Sequence, residues 1–128
     1  MTLRAKDLMV GDLVYNTKKE ICKVCGVSCF FGESNFHLDN YSKENDGGFD
    51  LELEVFPIPL TPEILEKNGF KFINDEPFFV GWEQYGMVFC YREGGGFSVS
   101  ILINSQIDYV HELQHLLRLW KIDKEIEL

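Results

Sequence analysis

Three prolines fall within six residues at Pro57-Ile58-Pro59-Leu60-Thr61-Pro62, and no other stretch restricts the fold of this chain as much. Each proline fixes its own φ, removes a backbone donor and pushes the residue before it out of the helical region. Neither a helix nor a central strand can run through Pro57-Ile58-Pro59, so the chain has to change element there. The implied boundary separates a subdomain of residues 1–58 from one of residues 59–128, with a shared core left open. A chain of 128 residues can bury about two-thirds of its unfolded surface, so it needs no metal or disulfide to fold.

A complete set of helix signals follows the boundary. Thr61 stands at the cap, Pro62 in the first turn where its missing N–H costs nothing, and Glu63 at the positive end of the helix dipole. Leu60 before the cap and Leu65 in the helix are spaced for a hydrophobic staple. Gly69 supplies the left-handed stop, with Phe70 folding back toward Leu65. The sequence predicts a short helix over residues 62–68.

Strand patterns lie on both sides. In the first half, Gly11-Asp12 is a turn signal before Leu13-Val14-Tyr15. Residues 21–31 are rich in Cys, Val and Phe and read as one or two strands, and residues 41–48, YSKENDGG, as a polar loop. Residues 49–56 set Phe49, Leu51, Leu53 and Val55 against Asp50, Glu52 and Glu54, the alternation of a half-buried strand. Short strands behind a Gly-Asp turn suggest a small curled sheet or barrel, as in KOW and Tudor modules, an analogy of fold only. In the second half, residues 70–73, 78–82, 85–91 and 97–104 read as strands, with Glu93-Gly-Gly-Gly96 as a hairpin turn between the last two. A terminal helix is expected over residues 107–120, and residues 126–128 as a possible edge strand. The fold class is α+β: a β-rich first half, then a short helix, an antiparallel sheet and a C-terminal amphipathic helix.

The terminal helix contains His111-Glu112-Leu113-Gln114-His115, the H-E-x-x-H spelling of helical zinc hydrolases. In that chemistry the two histidines, one turn apart, bind zinc, and the glutamate deprotonates the metal-bound water. On a helical wheel Tyr109, Val110, Leu113, Leu116, Leu117 and Trp120 form an apolar stripe, with His111, Gln114, His115 and Arg118 opposite. The histidines thus share a face, as ligation requires. A third protein ligand is not signalled; Glu125, Glu127 and His37 are the available groups. A metzincin extension would need Gly at 118 and His at 121, where this chain has Arg118 and Lys121. The bland alternative is a helix docked by its stripe, with the histidine face solvated or hydrogen-bonded.

Cys22-Lys23-Val24-Cys25-Gly26 spells a single zinc-knuckle half, with Cys29, His37 and Cys90 as completions. Residues three apart on a regular strand point to opposite faces, so chelation would need a turn, which Lys23-Val24 does not encode. Reduced cysteines acting as small hydrophobes are the expected reading. The Glu93–Gly96 run has no strand–loop–helix context or following Lys, so it is a turn and not a phosphate loop.

Twelve basic against twenty-one acidic residues give a net charge of −9. Affinity for nucleic acid rests on neutralising phosphates with Lys and Arg, so this balance argues against general nucleic-acid binding. No apolar run approaches the roughly 18 residues that span a bilayer, and the N-terminus lacks a signal-peptide core. The expectation is a cytoplasmic protein without a membrane role.

Three segments, AKDLMVGDLV, PIPLTPEILEKNGF and YVHELQHLLRLWKIDKEIEL, resemble a family of small uncharacterised proteins from Bacteroides-like gut bacteria and their prophages. The resemblance implies a cytoplasmic, mobile-element setting and no particular activity. The sequence therefore leads to a non-enzymatic protein that binds another macromolecule, with the protein partner and the oligomeric state open. The competing class is a minimal zinc hydrolase in which His111 and His115 hold the metal and Glu112 is the base.

Overall fold

A computed structural model describes residues 2–30, 33–40, 50–52, 54–75, 79–92, 95–99 and 106–128. The chain divides between Ile58 and Pro59, inside the proline run, into units of Met1–Ile58 and Pro59–Leu128. The protein is α+β, and the described residues form one antiparallel sheet in each unit, with α-helices in the second.

The first unit opens with a 3-10 turn at Ala5–Asp7. Its sheet comprises β1 (Leu13–Tyr15), β2 (Ile21–Phe30), β3 (Glu33–Asn40) and β4 (Asp50–Glu52), in the order β1-β2-β3-β4. Gly11 has a φ of +96°, and the buried Asp12 carboxylate accepts the Met9 N–H at 2.8 Å. The turn is fastened to β2 by Gly11 N–H to Val24 O at 2.7 Å and Val24 N–H to Asp12 O at 2.8 Å. Cys22, Val24, Phe36 and Leu38 point into a core completed by Leu3, Leu8, Val14 and Val55.

A β-bulge between Val24 and Gly26 adds one residue and shifts the alternation, so that Val27 rather than Gly26 or Ser28 lies opposite buried Phe36, although Val27 itself is exposed. Residues 21–31 show no simple alternation for this reason: β2 is one bent strand. The strand expected over residues 49–56 is shorter than its alternation suggested. After β4 the chain leaves the ladder: Val55 O accepts the Leu3 N–H at 3.0 Å, and Phe56 exchanges two 2.9 Å hydrogen bonds with Tyr15. That single bridge does not close the sheet into a barrel. The expected loop at residues 41–48, and Phe49 and Leu53, lie outside the described residues.

The second unit begins with α1 (Pro62–Lys67), built as its sequence dictates. Thr61 Oγ1 accepts the Ile64 N–H at 3.3 Å. At the far end Gly69, at φ +92°, donates to Glu66 O at 3.2 Å, and Phe70 donates to Leu65 O at 3.0 Å. This is a Schellman stop with glycine at its left-handed position. A five-stranded sheet follows: β5 (Lys71–Asp75), β6 (Phe79–Gln84), β7 (Met87–Tyr91), β8 (Phe97–Val99) and β9 (Gln106–Ile107), in sequence order. Tyr85 does not continue a strand. With Gly86 it forms a two-residue turn, with φ of +55° and +75°, the paired positive values of a type I′ hairpin. Residues opposed across strands share a face, and the ladder Phe72–Trp82–Phe89–Val99 carries the buried side. Glu93, Gly94 and residues 100–105 of the expected hairpin and strand lie outside the described residues.

The terminal helix, α2 (Val110–Leu119), starts three residues later than its apolar pattern implied. Ile107 belongs to β9, Asp108 O accepts the Leu60 N–H at 2.9 Å, and Tyr109 bridges Pro59. Extended pairing thus holds residues 107–109. The helix ends as α1 does, with Lys121 N–H to Arg118 O at 3.0 Å and Ile122 N–H to Leu117 O at 2.8 Å. Here the left-handed position is a lysine, at φ +57°. Residues 126–128 form no strand. Instead the buried Asn68 amide grips Glu127, accepting its N–H at 2.7 Å and donating to its carbonyl at 2.8 Å.

Candidate functional site

The helix start decides what HELQH is. With Tyr109 as the cap residue, Glu112 is the third residue of α2, where a glutamate reaches back to the helix's own unsatisfied N–H groups. Its Oε1 accepts from Asp108 N–H at 3.1 Å and from Tyr109 N–H at 3.0 Å. A general base needs a lone pair directed at the water it deprotonates, and this oxygen is committed to two backbone donors. Burial of the half-covered carboxyl pushes the Glu112 pKa up; the two backbone N–H groups oppose that shift, nearby Asp108 adds to it, and His115 opposes it.

The histidines lie on neighbouring turns of one face. The His111 and His115 rings are 5.7 Å apart and nearly perpendicular at 78°, and Tyr109 stacks on His111 at 5.9 Å and 11°. The face expected to be solvated or hydrogen-bonded is not solvated throughout. His111 is only 5% exposed and Gln114 is also buried, while Trp120 of the expected apolar stripe is 47% exposed. The wheel misplaced them because it assigned burial by hydrophobicity alone. Val110, Leu113, Leu116 and Leu117 are buried as the stripe required, but the helix is covered over more than that arc. Trp120 is the residue that caps the helix C-terminus.

Glu125 and Glu127 are exposed, and the Glu127 backbone is held by Asn68. His37 lies in the first unit, opposite Gly26, with Nε2 3.0 Å from Ser28 Oγ. Among the described residues no three or more His, Cys, Asp or Glu side chains are placed to hold one metal ion. Cys22 and Cys25 part as strand geometry requires: Cys22 is buried and Cys25 exposed. Their thiols donate to Glu20 O and Lys23 O, each at 3.6 Å. Cys90 sits half-buried on β7, and the Cys29 side chain lies outside the described residues.

A different feature was not singled out by the sequence. An aromatic run crosses the buried face of the five-stranded sheet and comes to the surface at both ends. Phe72 packs on Trp82 at 5.1 Å, Trp82 meets Phe97 edge-on at 5.8 Å, and Phe97 meets Tyr91 edge-on at 5.2 Å. Phe97 is fully buried, yet Phe72 is 50% and Tyr91 55% exposed, with Val80 at 36% on the strand between theirs. The Trp82 indole is fixed by a 3.0 Å hydrogen bond from Nε1 to Glu66 Oε1 on α1. The signal was present in the alternation of Met87, Phe89 and Tyr91, but which end of that row stays uncovered depends on what packs above it. Comparison with protein-family models, curated proteins and solved structures returns no match for this chain.

Proposed function

We propose that this protein acts without catalysis, by binding a protein partner through the aromatic face of its five-stranded sheet. The observation that carries the reading is the exposure of Phe72 and Tyr91 at the two ends of a ring network anchored on buried Phe97. Rings already braced from behind lose little side-chain freedom when a partner covers them, and aromatic anchors of this kind dominate the energy of protein interfaces. Base stacking on such rings would need Lys and Arg to neutralise phosphates, which a chain of net charge −9 supplies poorly. An apolar contact with a basic rim suits it better. The resemblance to small proteins of Bacteroides-like bacteria and their prophages supports a mobile-element setting and a cytoplasmic location.

The test is affinity capture from the native host with the wild-type protein and with the Phe72→Ser, Tyr91→Ser double variant, both verified as folded by circular dichroism. A partner retained by the wild type and lost by the variant supports the reading. Identical recovery by the two proteins overturns it. The competing zinc-hydrolase reading draws on the proximity of the His111 and His115 rings and is weakened by the capping role of Glu112.

A further inference from the structure

We infer that β5 is a self-complementary edge through which two copies of this chain pair, joining their five-stranded sheets across a two-fold axis at Ile73. The inference does not rest on the partner-binding reading, because it uses the backbone of an edge and not the aromatic face.

Among the described residues the sheets present four edges. β9 is two residues long, β4 three, and β1 three with Tyr15 already bridged to Phe56. β5 has five residues, pairs with β6 without a bulge, and has no strand on its other side. It contains neither proline nor bulge, so of the devices by which proteins commonly blunt an open edge it has only the charged residues at its two ends, Lys71 and Asp75. Lys71, Phe72 and Asn74 are exposed, as an uncovered edge requires.

The hairpin fixes which backbone groups face outward. A two-residue turn at Tyr85–Gly86 makes the flanking Gln84 and Met87 the pair that exchanges both backbone hydrogen bonds. Alternation along β6 then directs Trp82 toward β7, and Glu83, Gly81 and Phe79 toward β5. Their partners Lys71, Ile73 and Asp75 spend their N–H and C=O groups on β6. The N–H and C=O of Phe72 and Asn74 therefore point away from the sheet.

Those four groups per copy match an antiparallel partner of the same sequence. With Ile73 opposite Ile73 of the second copy, each Phe72 lies opposite an Asn74 and exchanges two backbone hydrogen bonds with it, four in all. The strand reads Lys-Phe-Ile-Asn-Asp, a basic residue at one end and an acidic one at the other, so the same register pairs a lysine position with an aspartate position at both ends. A shift of register loses that match. Pairing uses up the edge in both copies, so assembly stops at two.

Sedimentation velocity over a concentration series, up to about 1 mM, is expected to show the full-length protein passing from one to two protomer masses. Asn74→Pro removes an outward N–H and leaves the β5–β6 ladder whole, a position where proline is tolerated. It is expected to remain monomeric throughout with an unchanged far-ultraviolet spectrum. Ile73→Cys tests the register. Non-hydrogen-bonded pairs place Cα atoms about 4.5 Å apart, within disulfide range, so mild oxidation should yield a covalent dimer above the wild-type background. Lys71→Cys should not, because the two copies of that position lie roughly 14 Å apart along the strand. A wild type that stays monomeric throughout, larger assemblies, a dimer that survives Asn74→Pro, or equal cross-linking at both cysteine positions would each overturn the inference.

Discussion

Replacing Asn68 by Asp changes one atom of a buried side chain and is expected to be among the most damaging single substitutions in the second unit. Asn68 is 2% exposed. Its Nδ2 donates to Ile64 O at 2.8 Å and to Glu127 O at 2.8 Å, and its Oδ1 accepts the Glu127 N–H at 2.7 Å. The side chain therefore closes the last turn of α1 and pairs with the tail as a neighbouring strand would. In Asn68→Asp an oxygen replaces the donor nitrogen, so the Ile64 and Glu127 carbonyls each face an acceptor, although Ile64 O keeps the backbone N–H of residue 68 at 3.2 Å. Each of the two lost bonds is worth about 1 kcal/mol net, and the Glu127 carbonyl left without its donor costs about 1–3 kcal/mol. Together these give a loss of about 3–5 kcal/mol at neutral pH, less where water reaches that carbonyl. The loss should shrink in acid, where the new carboxyl takes up a proton and can donate to one carbonyl again. Both tryptophans, Trp82 and Trp120, lie in the second unit, so urea unfolding followed by their fluorescence reports on the right half of the chain. Hydrogen exchange at the Glu127 amide reports the clamp itself. A loss below about 0.5 kcal/mol with unchanged protection at Glu127 would refute the clamp.

Four further outcomes follow from the geometry. The two Schellman stops should respond in opposite directions: Gly69→Ala should destabilise by about 1 kcal/mol, and Lys121→Gly should stabilise by about 0.5–1 kcal/mol, both by urea titration. Burial raises the Glu112 pKa in the folded protein, so the folded state holds that proton more tightly than the unfolded one. The Glu112 contribution therefore becomes less favourable as pH rises through the raised value. Glu112→Gln, which can still cap, should gain on the wild type on passing from acid to neutral pH, and a pH-independent difference between the two would contradict this. Leu113→Ala should cost about 2–5 kcal/mol, and protein purified without chelator should carry well under one zinc per chain by elemental analysis. One tightly held zinc per chain, lost in the His111→Ala, His115→Ala double variant, would instead favour the hydrolase.

The sequence displays those parts of the fold that local chemistry decides. Thr61, Pro62, Gly69 and Phe70 specify α1 from end to end, because cap, first turn and stop are contacts within ten residues. β1 follows the Gly11-Asp12 turn for the same reason. What was not legible depends on pairing at a distance. The whole of β3 escaped notice because Glu33–Asn40 is mostly polar and earns its strand from β2 on one side and β4 on the other. The bulge after Val24 concealed the alternation of β2, and the positive φ of Tyr85 is unusual enough for a bulky residue that the turn before Met87 read as strand. Asn68 looked like an ordinary residue before a glycine stop. Its second partner lies 59 positions away, beyond the reach of any local pattern.

The H-E-x-x-H motif shows how a small error in an element boundary changes chemistry. A helix begun at Ile107 would leave Glu112 in its second turn, its carboxylate free to project beside two metal ligands. Pairing of Asp108 with Leu60 and of Tyr109 with Pro59 delays the start to Val110. The same glutamate then becomes the third residue, and it takes the orphan N–H of the cap residue Tyr109 at 3.0 Å together with that of Asp108 just before it at 3.1 Å. A sequence clue to this role existed, since acidic residues favour the first turn for its dipole as well as its donors. It was outweighed by an apolar periodicity that begins before the helix does, because Ile107 is buried as a strand residue and keeps the helical phase by coincidence. Reading chemistry from H-E-x-x-H therefore requires the helix cap to be located first, for a glutamate within three residues of that cap has the helix's own backbone as its nearest claimant.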